Sequence, residues 1–518
     1  MSEPFSYDLV EYPAYVHSQM HPSRLAAIAR LHGLPAASPT ACRLLEVGCG
    51  DGLQLLTLAQ SYPDSRFVGV DLSATAIARG ELMRARLGLD NLTLVAADLQ
   101  DWDAGSEPFD YILAHGFWSW VPESVRARLL GICERLLAPA GIAYVSYNTL
   151  PGCHLRRMLW DAMRFHSECG ATPVERVQRA MECVDLLEQG MLQHRRYTAA
   201  MSGEIRDLRE RFNPSVLFHD ELAAINDPCM FSDFLSLAYR HGLGFLAEAN
   251  YLEMSLKTVG EAVRPTLAGI AEQDLATKEQ YLDFLTGRRF RQTLLCRASA
   301  NPRSKPDVDA VLQLEATSAL TADRAQPDEA GGMRFSRLDS SMSTDNPLLQ
   351  HLLLACQARP QLPQPIEALV DDARATISSS RTREEDAAAA ADFLLGAFEV
   401  GLVDLYCDAP KFALVAGEHP CASPLARLQI ELGYERCASL IPSMGKLDNV
   451  LARELALMLD GSRDRAAIRR DLAARMATIP TTQADGTDAC SSVEWWFEEL
   501  ANLEDGLSEM GRLGLLLN

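Results

Sequence analysis

Between Cys42 and Asn148, short apolar runs alternate with stretches in which apolar residues recur every three or four positions. That alternation predicts βαβ units and a parallel sheet. Five strands are expected, Arg43–Val47, Arg66–Val70, Leu92–Ala96, Phe109–Ala114 and Ile142–Tyr147, each apolar enough to be covered on both faces. Helices are expected over Leu53–Ser61, Ala74–Leu87 and Glu123–Leu137, with Pro139 and Gly141 punctuating the approach to the fifth strand. Right-handed crossovers then bring the carboxyl ends of all five strands to one edge, where such folds bind ligands.

Beyond Pro151-Gly152 the period becomes helical, with amphipathic segments at His154–Glu168 and Val174–His194. The sheet resumes with a helix at Phe231–Arg240, a short strand at Phe245–Ala249 and a final antiparallel strand at Phe290–Arg297. Residues 1–300 therefore read as one α/β, Rossmann-like domain with a helical insertion at about 154–212, a lid or a dimerisation element. A polar, Pro-containing linker follows at 301–306, and Thr321–Gly332 reads as a loop. Helices at Asn346–Ala358, Arg383–Gly396 and Asn449–Leu459, with a strand at Leu402–Tyr406, predict a winged-helix-like α+β domain over 301–410 and a mostly helical domain over 411–518.

Charge narrows the partners. The 518 residues carry 70 acidic and 48 basic side chains, a net charge of −22 that repels nucleic-acid phosphates and anionic lipid. The basic runs Arg195-Arg196 and Arg288–Arg291 are too short to reverse this, and read as solvated faces or salt-bridge partners. A basic substrate, such as a lysine-rich protein, would be attracted. The 13 cysteines show no C-x-x-C spacing, so neither a zinc site nor a disulfide framework is expected. Met1–Leu9 has no secretory pattern, and no apolar stretch reaches the ~18–20 residues a bilayer needs. The expectation is a cytoplasmic protein without metal, nucleic acid or membrane insertion.

The chemistry is concentrated at strand ends. Glu46-Val47-Gly48-Cys49-Gly50-Asp51-Gly52 joins the first strand to the first helix, where alternate glycines let the backbone turn tightly and approach a ligand. A dinucleotide loop would place glycine at 53, where Leu53 stands. Asp71, followed by Leu72, ends the second strand 19 positions after Gly52, and a carboxylate there can accept both hydroxyls of a ribose; its alternative is a place beside the helix cap at Ser73. Asp98-Leu99 ends the third strand, with a plain turn as the alternative. Three such signals at successive strand ends predict a nucleoside ligand gripped by its sugar and base.

The E-x-G-x-G-x-G turn resembles motif I of class I methyltransferases. More widely, the chain resembles bacterial methyltransferases that carry a methyltransferase regulatory domain, including outer-membrane-protein lysine methyltransferases. The likeness lies in Tyr7-Asp8, Tyr12, His21-Pro22 and Arg24-Leu25, in His115–Pro122, in Ser146–Thr149 with Pro151-Gly152, and in Phe218–Leu222, Phe231–Phe234 and Phe290–Leu295. It implies S-adenosylmethionine held by Glu46, Gly48, Gly50, Gly52, Asp71, Leu72, Asp98, Leu99 and His115. It also implies a regulatory part near 213–297, winged-helix-like C-terminal domains, and a protein substrate, an outer-membrane protein among the candidates. A homodimer is a further expectation.

Methyl transfer to an amine needs alignment and a free lone pair, which a dry aromatic pocket favours by disfavouring the ammonium. Tyr12, His115, Trp118, Tyr147 and Asn148 are the candidate catalytic residues, with Trp120 beside them. His115 is the one candidate proton relay, or contributes only its backbone. Asn148 orients substrate or caps a turn, and one of the two tryptophans can be core. Cys153-His154 reads as structural because adjacent side chains diverge. His219-Asp220-Glu221 reads as a turn with acids at a helix start, and Trp495-Trp496 as packing. Two other functions stay open: a small-molecule methyltransferase, and a protein that binds the cofactor without turnover.

Overall fold

In the computed structural model, residues 6–323, 332–479, 481–482, 488–489, 493, 500 and 503–517 are described. The predicted strands lie side by side as β1 (Arg43–Val47), β2 (Arg66–Asp71), β3 (Leu92–Ala96), β4 (Phe109–Ala114) and β5 (Leu137–Asn148), joined by β6 (Leu243–Glu248) and β7 (Phe290–Arg297). Their order is β3-β2-β1-β4-β5-β7-β6, parallel except for β7. Leu45 of β1 stands between Val68 and Ile112, all apolar because helices cover both faces. β5 is longer than expected. Pro139 and Gly141 lie within it, in a register shift that sets Leu137 opposite Phe109 and Ile142 opposite Tyr111. A proline without an N–H is tolerated there because the ladder is already broken.

The helices before β7, in chain order, are α1 (Ser6–Leu9), α2 (Pro22–Leu31), α3 (Leu53–Ser61), α4 (Ala74–Leu87), α5 (Glu123–Leu136), α6 (Cys153–Ser167), α7 (Pro173–Gly190), α8 (Arg195–Glu210), α9 (Pro214–Asp220), α10 (Phe231–Arg240), α11 (Arg264–Gln273) and α12 (Leu275–Thr286). Helices α6 to α9 leave the carboxyl end of β5 and build their own core from Leu159, Trp160, Met163, Val184, Ile205 and Leu217 among others. They begin at Gly152, where a Cβ would lie 2.2 Å from the carbonyl oxygens of Gly287 and Arg288, so only glycine lets the chain pass.

The chain after β7 does not separate at once. Val311, Leu314, Phe335, Leu352 and Leu394 belong to the same continuous apolar cluster as the sheet, and Arg24 pairs with Asp404 at 2.9 Å. Thr321–Asp323, expected as loop, is a strand paired with Ser336–Arg334, because its period-two polarity suits an exposed sheet. A second core, Ala422 to Leu516, closes the chain. It docks on α3 through Gln60, which bonds Ser423 (3.0 Å) and the Leu425 amide (2.9 Å). Trp495-Trp496 lie outside the described residues. No helix among the described residues is long and apolar enough to cross a membrane.

The Arg288–Arg291 run is an ion-pair hub. Arg291 is fully buried, its guanidinium bonded to Glu248 (2.5 Å), Asp283 (2.9 Å) and the Glu279 carbonyl (3.0 Å) and lying 4.0 Å over the Phe231 ring. Burial pushes Asp283 up to about 6 despite these partners. Arg291→Met removes the cation and strands carboxylates in the interior, and is expected to cost roughly 3–5 kcal/mol of unfolding free energy. Chemical denaturation at pH 7 reads it, and a loss below ~1 kcal/mol would refute the hub.

Candidate functional site

The sheet order reverses between β1 and β4, so the loops leaving these strands diverge and open a crevice at their carboxyl ends. A cavity of about 480 Å³ fills it, with Glu46, Gly48, Cys49, Gly50, Asp51 and Asp71 on one side. Gly48 has φ +71°, and a Cβ there would lie 2.7 Å from the Phe117 ring. Asp71 steadies the turn: one carboxylate oxygen accepts from the Gly50 amide (2.8 Å) and the other from the Ser73 amide (2.8 Å). Each oxygen retains a lone pair for a hydroxyl.

This wall is acidic, with Arg79 as a cation beside Asp51. Burial, with Asp51 and Asp71 nearby, raises Glu46 to about 8, and its Oε2 has no hydrogen-bond partner. Burial likewise raises Asp51 to about 6 and pushes Asp71 up. A ligand bringing positive charge and hydroxyls would satisfy these groups. S-adenosylmethionine, with its ammonium, sulfonium and ribose, fits.

The opposite wall comes from two distant stretches. The N-terminal arm crosses the crevice, held to the sheet side by Asp8, which bonds the Ser73 hydroxyl (2.6 Å) and Thr75, and by the His17 amide on Gln54 (2.9 Å). It is held to the insertion by Tyr7, stacked on His219 with ring centres 4.1 Å apart, and by His219 bonded to the Val10 carbonyl (2.8 Å). Tyr7, Tyr12, Trp120, Trp160, Phe290, Asn148 and Asp220 line this side. The Tyr12 hydroxyl donates to Asp220 (3.5 Å), and Asn148 donates to Asn226 (2.8 Å). Burial, with Glu221 beside it, raises Asp220 to about 7.

Comparison with known proteins fits this geometry. Residues 44–141 match the model described as "Methyltransferase domain", 213–297 the "Predicted methyltransferase regulatory domain", and 418–514 the "PKMT, C-terminal winged helix domain". Uncharacterized protein RP028 of Rickettsia prowazekii is 34% identical over 235 residues, 45% of this chain and 94% of that protein. The chain belongs to the class I S-adenosylmethionine-dependent methyltransferases. Uncharacterized protein RP789 of the same organism is also 34% identical, over 56% of this chain, and the chain spans only about half (52%) of its length. PKMT2 from Rickettsia typhi, solved in complex with AdoHcy, superposes with a TM-score of 0.84 at 25% identity, over 98% of this chain and all of that one. The methyltransferase uses S-adenosylmethionine, which supplies a methyl group on a positively charged sulfur.

Among the residues expected at the site, Tyr12, Glu46, Gly48, Gly50, Asp71, His115 and Asn148 line the cavity. Trp118 and Tyr147 do not. Both are buried against Phe234, Trp118 edge-on at 4.9 Å and Tyr147 stacked at 4.3 Å with its hydroxyl on Thr293 (3.0 Å). His115 lines the cavity as a buried imidazole, which burial, with His17 beside it, lowers to about 3, and its Nδ1 is shared with the Tyr144 hydroxyl (2.9 Å). Gly52 caps α3 outside the cavity wall, Leu72 is half-exposed, Asp98 closes its own turn on the Gln100 amide (2.9 Å), and Leu99 is buried. Asp220 was missed. Asn213-Pro214 caps and starts α9, so His219 and Asp220 end a helix rather than begin one. Among the described residues no group could hold a metal ion.

Two outcomes test this site. A buried acid whose folded value exceeds its unfolded one makes the folded state bind more protons, so stability falls as pH rises from about 4.5 to about 8. Glu46→Gln is therefore expected to raise the thermal midpoint of the ligand-free protein at pH 9 and to change it little at pH 5. A uniform shift at both would refute the buried ionisation. Asp71→Ala is expected to weaken AdoHcy binding at least tenfold by calorimetry, the loss of about one charged hydrogen bond, whereas Tyr147→Phe leaves that affinity intact.

Proposed function

We propose that this methyltransferase methylates lysine side chains of a protein substrate. Glu46, Gly48, Gly50 and Asp71 form the cofactor side, with Leu72 and the Asp98–Leu99 turn, at the ends of β2 and β3, reached by the base. Tyr7, Tyr12, Trp120, Asn148 and Asp220 form the acceptor side. The observation that carries this reading is Asp220, a carboxylate near 7 held behind aromatic walls across from the glycine turn. Tyr7 lies between the two sides, close enough to feel both Asp71 and Asp220. The likeness to a PKMT, a protein lysine methyltransferase, supports the same class of acceptor.

A lysine in water holds its proton up to ~10.4 and offers no lone pair. Aromatic faces attract the arriving ammonium, and exclusion of water then disfavours its charge. The ionised Asp220 orients the ammonium by charge and takes its proton, becoming the neutral acid and leaving Nζ with a free pair. The Tyr12 hydroxyl holds the Asp220 oxygen in place, and the Asn148 amide, fixed by Asn226, offers a carbonyl oxygen to one remaining N–H.

The sign of the pH dependence follows. Asp220 accepts a proton only when ionised, so single-turnover transfer to a lysine peptide is expected to rise as pH increases through about 7. Asp220→Asn should lose that limb and fall by roughly 100-fold or more, with AdoHcy affinity unchanged. Labelled methyl is expected in acid-precipitable protein, on lysine by mass spectrometry. Label only in small extractables, or full activity of Asp220→Asn, would overturn the proposal.

A further inference from the structure

The cavity does not end at its aromatic wall. Past Tyr7 and Trp120, which border both, lies a second groove of about 830 Å³ between α6 and the turn after α9. On α6 and its C-cap, Arg157, Asp161, Arg164, Phe165 and Glu168 follow at i, i+4, i+7, i+8 and i+11, a single helical stripe that faces the groove. The opposite face of the helix buries Leu159, Trp160 and Met163. Phe165 is 81% exposed, an apolar ring the fold itself does not use. Facing it are Phe218, Leu222 and Ile225, with the Arg176 guanidinium 5.6 Å over the Phe218 ring.

We propose that this groove receives the polypeptide flanking the acceptor lysine and selects acidic residues beside it, an inference that rests on the lysine reading above. Three features point to that occupant. The groove adjoins the acceptor side of the cavity across Tyr7 and Trp120, so chain advancing ~3.3 Å per residue reaches it within a few residues of the lysine. Its three guanidiniums outnumber its two carboxylates, a local reversal in a chain of net charge −22. Neither Arg157 nor Arg164 makes an ion pair among the described residues, and a guanidinium fork matches a carboxylate. The apolar floor accommodates a neighbouring aliphatic or aromatic side chain.

The test uses the full chain with AdoHcy bound, so that peptides bind without transfer. Short dye-labelled peptides with one central lysine, flanked by glutamate, glutamine or arginine, are compared by fluorescence anisotropy. The glutamate peptide is expected to bind roughly fivefold tighter than the glutamine one, a preference that fades with added salt. The double variant Arg157→Glu/Arg164→Glu, at exposed positions, should invert the order while leaving the thermal midpoint and AdoHcy affinity as they were. Equal binding of all three peptides, or an unchanged order in the variant, overturns the groove. So does a variant whose sedimentation reveals dissociation of an oligomer, since the stripe would then serve a second copy of the chain. Charge-selective binding without methyl on the lysine, once S-adenosylmethionine replaces AdoHcy, sinks the lysine reading and leaves an acidic-peptide groove.

Discussion

The crevice between β1 and β4 is built around negative charge that its own arginines offset only in part. Elsewhere its buried ions are paired: Arg291 with Glu248 and Asp283, and Arg24 with Asp404. At the site, Glu46, Asp51, Asp71 and Asp220 are all pushed toward their neutral forms by burial. An acid held out of water without a cation costs stability, and the cost is recovered when a ligand supplies the charge. Both cations of the reaction, the cofactor's and that of the proposed acceptor, are thus answered from opposite walls of one cavity.

Geometry forces those walls to come from remote parts of the chain. Strand ends can present a glycine turn and an acid, but nothing in a parallel sheet closes the space above them. The arm of residues 6–21 and the helices inserted after β5 do so together, tied by Tyr7 on His219 and by Tyr12 on Asp220. The arm also touches the sheet side through Asp8 and His17. Loss of contact at one end would therefore be felt at the other, and the two halves of the site form as one unit.

The fold is legible in the sequence where local pattern and burial agree. β1, β3, β4 and β7, and α3, α4 and α10, fall at their expected residues, because continuous apolar runs between helical periods admit few other folds. It is not legible where a strand-end position leaves the direction of a side chain open. Successive residues of β5 point to opposite faces, so Asn148 in the cavity requires Tyr147 to face away, into Phe234. Period two carried that information, and it was outweighed by the chemistry of the tyrosine. Asp220 was hidden for another reason. Its neighbours in space, Tyr12 and Tyr7, are some two hundred positions away, and only the helix start at Asn213-Pro214 was legible locally.

Net charge and local charge make different statements about a partner. A total of −22 acts at long range and favours approach of a basic protein, but salt confines that field to roughly 8–10 Å. Within that distance what matters is which side chains face the docked chain. Around the groove three arginines stand against two acids, and the aromatic member of the stripe is left bare. The two statements are compatible if the body of a substrate is basic while the residues beside its modified lysine are acidic. On the proposed reading the recognition problem is divided: the whole surface would set the rate of encounter, and the groove would set which lysine is presented.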